Sequence, residues 1–268
     1  MKTYAKALTI AGSDSGGGAG IQADLKTFSA LGCYGLSVIT ALTAQNTRAV
    51  TAIQPVPPAF IADQLRAVLS DIGADAIKIG MLHSPEVIET VATVLTEFGA
   101  TNIVLDPVMV AKSGDKLLQD EAVAALKTRL LPLATVLTPN LPEAEVLLGR
   151  PVATWEAMDA AAADLADLTA GAVLVKGGHL DTAQSADRLR LPSGEVFTLA
   201  SDRIETPNSH GTGCTLSSAI AAGLARGLSV AEAVEAAKTY LTAALRAGAD
   251  YRLGHGHGPV HHHHLFWN

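Results

Sequence analysis

Only two cysteines, Cys33 and Cys214, occur in 268 residues, far apart in sequence and with Cys33 in the apolar stretch 31–37. That excludes a disulfide framework and leads us to expect a reduced, cytoplasmic protein. Aromatic residues are only 4%, the net charge is -7, and Lys and Arg form no stripe with interleaved aromatics, so nucleic acid is not expected as the main partner. No apolar run is long enough to cross a bilayer, and no charged, apolar and small-residue order marks a signal peptide, so neither membrane nor export is expected. Internal repeats, low-complexity linkers and composition breaks are missing too. One domain over residues 1–268 is the expectation, at a length that a single α/β domain commonly occupies.

What the chain has is apolar material, 49% of its residues, arranged as short runs that alternate with amphipathic segments. Runs at 7–11, 36–41, 76–79, 103–105, 135–137 and 172–175 read as buried strands. Segments at 21–31, 58–72, 86–98, 121–131, 143–148 and 155–169 between them read as helices, followed late in the chain by 215–226 and 230–247. The alternation predicts an α/β fold, a mostly parallel central sheet with helices on both faces. Pro192-Ser193-Gly194, between 188–191 and 195–199, predicts an antiparallel hairpin at the edge of that sheet.

Polar, Gly or Pro residues follow each strand candidate, and in open α/β sheets ligands bind outside the carboxyl ends of the strands. These loops therefore converge on one crevice. The strongest signal is Ser209-His210-Gly211-Thr212-Gly213-Cys214 before a run of small and apolar residues: a loop feeding a helix whose free N–H groups suit an anion. Cys214 falls in the first turn, where the helix dipole is expected to favour the thiolate. Asp106 and Glu143 set carboxylates after two strands, where Mg²⁺ with its waters bridges to phosphates. The plainer readings are a helix cap for Asn140 and a first-turn dipole partner for Glu143. Lys176, after a buried strand, calls for a partner such as phosphate.

Gly12-Ser13-Asp14-Ser15-Gly16-Gly17-Gly18-Ala19-Gly20 fits neither the dinucleotide spacing nor a P-loop, and reads as a flexible wall over a substrate, with Asp24 in the following helix. Gln45 offers a donor and an acceptor on one planar amide, which suits a flat heterocycle. The run His261–His264 is followed by Leu265, Phe266 and Trp267, apolar residues expected to dock on the fold, which argues against a purification tag; nothing in a chain terminus fixes metal geometry.

Residues 12–27, Gln45-Asn46-Thr47, Lys78-Ile79-Gly80-Met81, Asp106-Pro107-Val108-Met109, Asn140-Leu141-Pro142-Glu143, Lys176-Gly177-Gly178 and 210–214 together resemble the hydroxymethylpyrimidine/phosphomethylpyrimidine kinases of thiamine biosynthesis, in the ribokinase superfamily. The resemblance runs in order along the whole chain and includes Gly256-His257-Gly258-Pro259-Val260 and the histidines. It implies a ribokinase-like fold, ATP and Mg²⁺, and two successive phosphorylations of 4-amino-5-hydroxymethyl-2-methylpyrimidine at one site. By that likeness Gln45 reads the aminopyrimidine edge, with Met81 and Val108 against the ring and Gly12 and Asp24 nearby. Gly211, Thr212 and Gly213 form the anion hole, Lys176 steadies phosphates, Asp106, Glu143 and Asn140 organise Mg²⁺, and Cys214 is the base. The loop 111–116 is expected to be a mobile flap, and a homodimer is implied. A pyridoxal kinase of the same branch is the alternative; a non-catalytic binder would have lost Cys214, Lys176 or the Asn140/Glu143 pair, and all are present.

Overall fold

The computed structural model describes residues 2–109, 120–178, 180 and 184–267. The strands are β1 (Lys6–Asp14), β2 (Tyr34–Gln45), β3 (Val50–Pro55), β4 (Ala76–Ile79), β5 (Ile103–Leu105), β6 (Val136–Leu137), β7 (Ala172–Val175), β8 (Gln184–Arg190) and β9 (Val196–Asp202). They form one nine-stranded sheet in the order β3-β2-β1-β4-β5-β6-β7-β8-β9. The strands from β2 across to β7 pair in parallel, β8 and β9 form the expected antiparallel hairpin at one edge, and β3 lies antiparallel on β2 at the other. β3 escaped the sequence reading because most of its residues are exposed, and its Pro55 is a residue that only an edge strand tolerates.

Among the described residues, eight α-helices cover the sheet: α1 (Gly20–Ala30), α2 (Pro58–Asp71), α3 (Pro85–Glu97), α4 (Asp120–Ala125), α5 (Leu141–Leu148), α6 (Trp155–Ala166), α7 (Thr212–Ala225) and α8 (Val230–Gly248). Their starts follow local chemistry. Ser84 and Thr154 accept from the backbone N–H three residues on, and Ser229 and Glu232 form a reciprocal capping box. The continuous helix expected over 121–131 is instead α4, a π turn (Leu126–Leu130) and a 3-10 turn (Leu131–Leu133) whose Pro132 has no N–H to continue a helix.

Alternation along the strands decides which helix packs where. Leu8, Ile10, Ile77, Ile79, Ile103, Leu105, Val173 and Val175 join the cluster that holds α2, α3, α5 and α6. Their neighbours Ala7, Ala76, Val104, Ala172 and Leu174 join the cluster that holds α1, α7 and α8. Period two on buried strands thus makes two cores, one per face. β1 pairs with β2 on one side and β4 on the other, so strand order reverses there, and the crevice beyond its carboxyl end is where a ligand is expected.

Candidate active site

Thr9 and Lys78 are register partners on β1 and β4, and each sits between residues of the first core, so both face α1 and α7. There Asp24 of α1 meets them. Its carboxylate accepts from Thr9 Oγ1 at 2.6 Å, from Ser218 Oγ of α7 at 2.5 Å and from Lys78 Nζ at 2.9 and 3.0 Å. Both ionic side chains are 0% exposed. Asp24 therefore does not reach a substrate, contrary to the sequence expectation; it is the counter-ion of a buried lysine. Burial opposes the Lys78 charge, but Asp24, with Cys214 and Asp106, more than offsets it and holds the ammonium above the usual lysine range. Sequence reading missed Lys78, although a lysine inside the buried run Ala76-Ile77-Lys78-Ile79 was itself the signal.

Cys214 lies one turn before Ser218 on α7, above this pair. Its thiol is not poised as a thiolate. Although part of its surface is accessible, desolvation outweighs both the Lys78 charge and a hydrogen bond from the Gly20 backbone, and pushes the thiol up to about 11. The helix-dipole expectation is overturned here because burial and the carboxylates of Asp24 and Asp106 work against ionisation.

The glycine-rich segment is tied down rather than flexible. Asp14, at the end of β1, accepts from the backbone N–H of Gly16, Gly18 and Ala19 at 2.8, 3.0 and 2.8 Å, and His210 Nε2 lies 3.0 Å from the same carboxylate. Burial opposes ionisation of Asp14, but these donors outweigh it and keep the carboxyl below its ordinary range. The N–H groups of the loop thus point inward to Asp14. Its glycines serve close approach: a Cβ on Gly211, whose φ is +79°, would stand 1.9 Å from the Gly18 carbonyl oxygen. Asp14 and His210 were not singled out for binding or catalysis from the sequence; only their pairing across the fold reveals them.

Asp106, beyond β5, is buried and accepts from Lys176 Nζ at 2.8 Å, Thr138 Oγ1 at 3.2 Å and Ser217 Oγ at 3.3 Å. Lys176 also lies 3.8 Å from Glu143 Oε2 and is 14% exposed, so carboxylates already balance it without a phosphate. Burial works against both charges of the closer pair, yet Lys176 is pushed up to about 12 by Asp106 and Glu143, and Asp106 is held low by Lys176 and Lys78. Glu143 is the odd member: burial pushes it up to about 7 despite Lys176. Asn140 and Glu143 also form the capping box of α5, at 2.9 and 2.7 Å. Asn140's side-chain oxygen accepts the Glu143 N–H there, so the helix cap by itself accounts for this residue. Among the described residues no group of three or more His, Cys, Asp and Glu is placed to cage a metal.

The turn into α7 joins these pieces. The position a Gly213 Cβ would occupy is 3.5 Å from both Asp106 Oδ2 and Lys176 Nζ. Thr212, Gly213 and Lys176 line a cavity of about 550 Å³ that extends past Asp187, Lys238 and the apolar Leu216, Leu241 and Leu245. On the other side His210 Nε2 is 3.3 Å from Gln45 Nε2, and Gln45 Oε1 accepts from Thr43 Oγ1 at 3.1 Å. Met81 and Ala41 pack with Val108 and Ile53 into a small apolar cluster, and a Cβ on Gly12 would come within 2.5 Å of Met81 Cε. Gly12, near the end of β1, thus lies with Met81 and Val108, while Gln45, the last residue of β2, meets His210. The expected flap, 111–116, lies outside the described residues.

The C-terminal segment folds back on this turn: His210 N–H donates to Gly258 O at 3.0 Å and His261 N–H to Ala244 O at 3.1 Å. The docking residues differ from those expected. Val260 and His262 are buried, whereas Leu265, Phe266 and Trp267 remain 60, 65 and 63% exposed, Trp267 stacking on His263 and meeting His261 edge-on.

Comparison with known proteins follows the same lines. The phosphomethylpyrimidine kinase family model matches residues 14–261. The hydroxymethylpyrimidine/phosphomethylpyrimidine kinase of Rhizobium meliloti (strain 1021) is 57% identical over 262 residues, 97% of this chain and 98% of that protein. That of Escherichia coli (strain K12) is 53% identical over the same shares. Among solved structures, an ADP complex of Bacillus subtilis pyridoxal kinase superimposes with a TM-score of 0.91 at 41% identity, covering 99% of this chain and 100% of that one.

Proposed function

The chain belongs to the phosphomethylpyrimidine kinase family, and from that membership and the site we infer an ATP-dependent kinase that phosphorylates 4-amino-5-hydroxymethyl-2-methylpyrimidine and then its monophosphate, in thiamine biosynthesis. The observation that carries the reading is the turn 210–213, which touches both halves of the crevice: His210 meets Gln45, while Thr212 and Gly213 line the cavity beside Lys176. Nucleotide takes that cavity, with Lys176 and the α7 N-terminus at its phosphates and Leu216, Leu241 and Leu245 along its apolar part. Pyrimidine takes the other half, its aminopyrimidine edge on Gln45 and its ring on Met81 and Val108. One site serves both phosphorylations.

Phosphoryl transfer needs alignment and charge stabilisation above all, and the chain supplies both through the N–H groups of Gly211, Thr212 and Gly213 and through Lys176. Asp106 and Glu143 suit Mg²⁺ held with water and phosphate oxygens, since two carboxylates and no protein cage is how Mg²⁺ usually sits beside phosphates. Bound there it would neutralise charge on the transferring group. Cys214 is the proton acceptor, used late and only in its thiolate form. With its thiol at about 11, only about one molecule in 10⁴ carries a thiolate at neutral pH. One kinase domain over 1–268, a homodimer and a cytoplasmic location complete the reading; the continuous sheet and two free cysteines support the first and last, and sedimentation tests the dimer.

A steady-state assay of ATP consumption with the hydroxymethylpyrimidine against pyridoxal tests the function. The expected result is a higher kcat/KM for the pyrimidine, with mono- and then diphosphate as products. Phosphorylation of pyridoxal alone overturns it.

A further inference from the structure

The buried histidine of the C-terminal segment is not used by this scheme. His262 is 4% exposed, its carbonyl oxygen accepts from Tyr240 Oη at 2.5 Å, and its Nε2 lies 3.1 Å from Thr215 Oγ1. Thr215 Oγ1 in turn donates to Gly211 O at 2.8 Å, beside the first backbone bond of α7, Thr215 N–H to the same oxygen. With the hydroxyl proton on the Gly211 carbonyl, the tautomer protonated at Nε2 is the one that donates to Thr215. Burial, with Lys26 and the neighbouring histidines, pushes the ring's protonation down to about 3, so it stays neutral.

Gly211 is where such a restraint matters. It is the left-handed residue before α7, packed on the Gly18 carbonyl, and Gly213 two residues on stands against Asp106 and Lys176. A tilt of the Gly211 peptide therefore re-aims the N–H groups of the turn.

We propose that His262 is a positioning residue, whose ring N–H holds the Thr215 hydroxyl on the Gly211 carbonyl and so fixes the turn that faces the transferring phosphoryl group. The inference rests on the kinase reading for its catalytic consequence, but not for its geometry.

The test compares His262→Leu, which keeps an apolar volume and loses the donor, with His262→Gln, whose amide nitrogen reaches the Nε2 position. His262→Leu is expected to lower kcat about tenfold, as displacement of a positioned group does, with KM for ATP and pyrimidine within about twofold of wild type. His262→Gln restores kcat to within about threefold. Amide hydrogen exchange of the peptide 208–216 speeds up about tenfold in His262→Leu and not in His262→Gln. Thr215→Val breaks the link from its other end and reproduces the His262→Leu pattern even if that variant folds poorly. Wild-type kcat and exchange in His262→Leu or Thr215→Val overturn the proposal, and so does equal loss in His262→Leu and His262→Gln. If the wild type turns over no pyrimidine, the kinase reading fails while exchange still decides the positioning.

Discussion

Replacing Asp24 by asparagine separates a substrate contact from a structural counter-ion. In the structure the carboxylate has four donated hydrogen bonds, two of them from Lys78, and neither side chain of the pair touches solvent. Asparagine keeps one acceptor oxygen, enough for Thr9 or Ser218, which meet different carboxylate oxygens, and leaves the ammonium without its counter-ion. Breaking a buried pair in this way costs about 3–5 kcal/mol. Urea unfolding of Asp24→Asn should show that loss, and Asp24→Asn with Lys78→Met should recover most of it, because the double variant holds no uncompensated charge. The pH dependence reverses as well. In the wild type Lys78 is held above the ordinary value of about 10.4, so its contribution is complete below that pH and is lost as pH rises through the folded value. In Asp24→Asn, burial without the counter-ion depresses Lys78 below that value. The unfolded chain then binds more protons, so stability rises with pH through that lower window. A stability loss under about 1 kcal/mol, far short of a broken buried pair, together with a raised KM for pyrimidine, would refute the argument and return Asp24 to the substrate site.

Gln45→Ala should weaken pyrimidine binding by about 1–3 kcal/mol and leave ATP binding unchanged by calorimetry; equal pyrimidine affinity removes Gln45 from the site. In a Cys33→Ala background, alkylation of Cys214 should rise about tenfold per pH unit from pH 8 to 10, since the thiol lies at about 11, and a plateau by pH 9 contradicts the burial argument. Cys214→Ala should bind both substrates and lose turnover by roughly 10²–10⁴-fold, whereas near wild-type turnover leaves alignment and charge to carry the reaction alone. Glu143→Gln should raise the Mg²⁺ concentration for half-maximal rate. Between the ordinary carboxylate range and about 7, folded Glu143 keeps a proton that the unfolded chain releases, so its contribution to stability falls as pH rises there; urea midpoints in Glu143→Gln should lack that slope.

Alternation of short apolar runs with amphipathic segments was enough to specify a parallel sheet, its two helical layers and the late hairpin, because strand period and helix period are written in neighbouring residues. Gly211, Gly213, Lys176, Asp106 and Gln45 could also be placed at strand ends and a helix start, since loops after parallel strands share one edge. Partnership is what the sequence by itself did not determine. Asp14 meets His210 across 196 residues and Asp24 meets Ser218 across 194, and no local pattern encodes either pair. Lys176 looked short of a phosphate until Asp106 and Glu143 stood beside it. Cys214 looked like a thiolate until tertiary burial was weighed against the helix end. The charge state of a group depends on the dielectric and the charges within a few ångströms, and only the folded chain decides what lies that close.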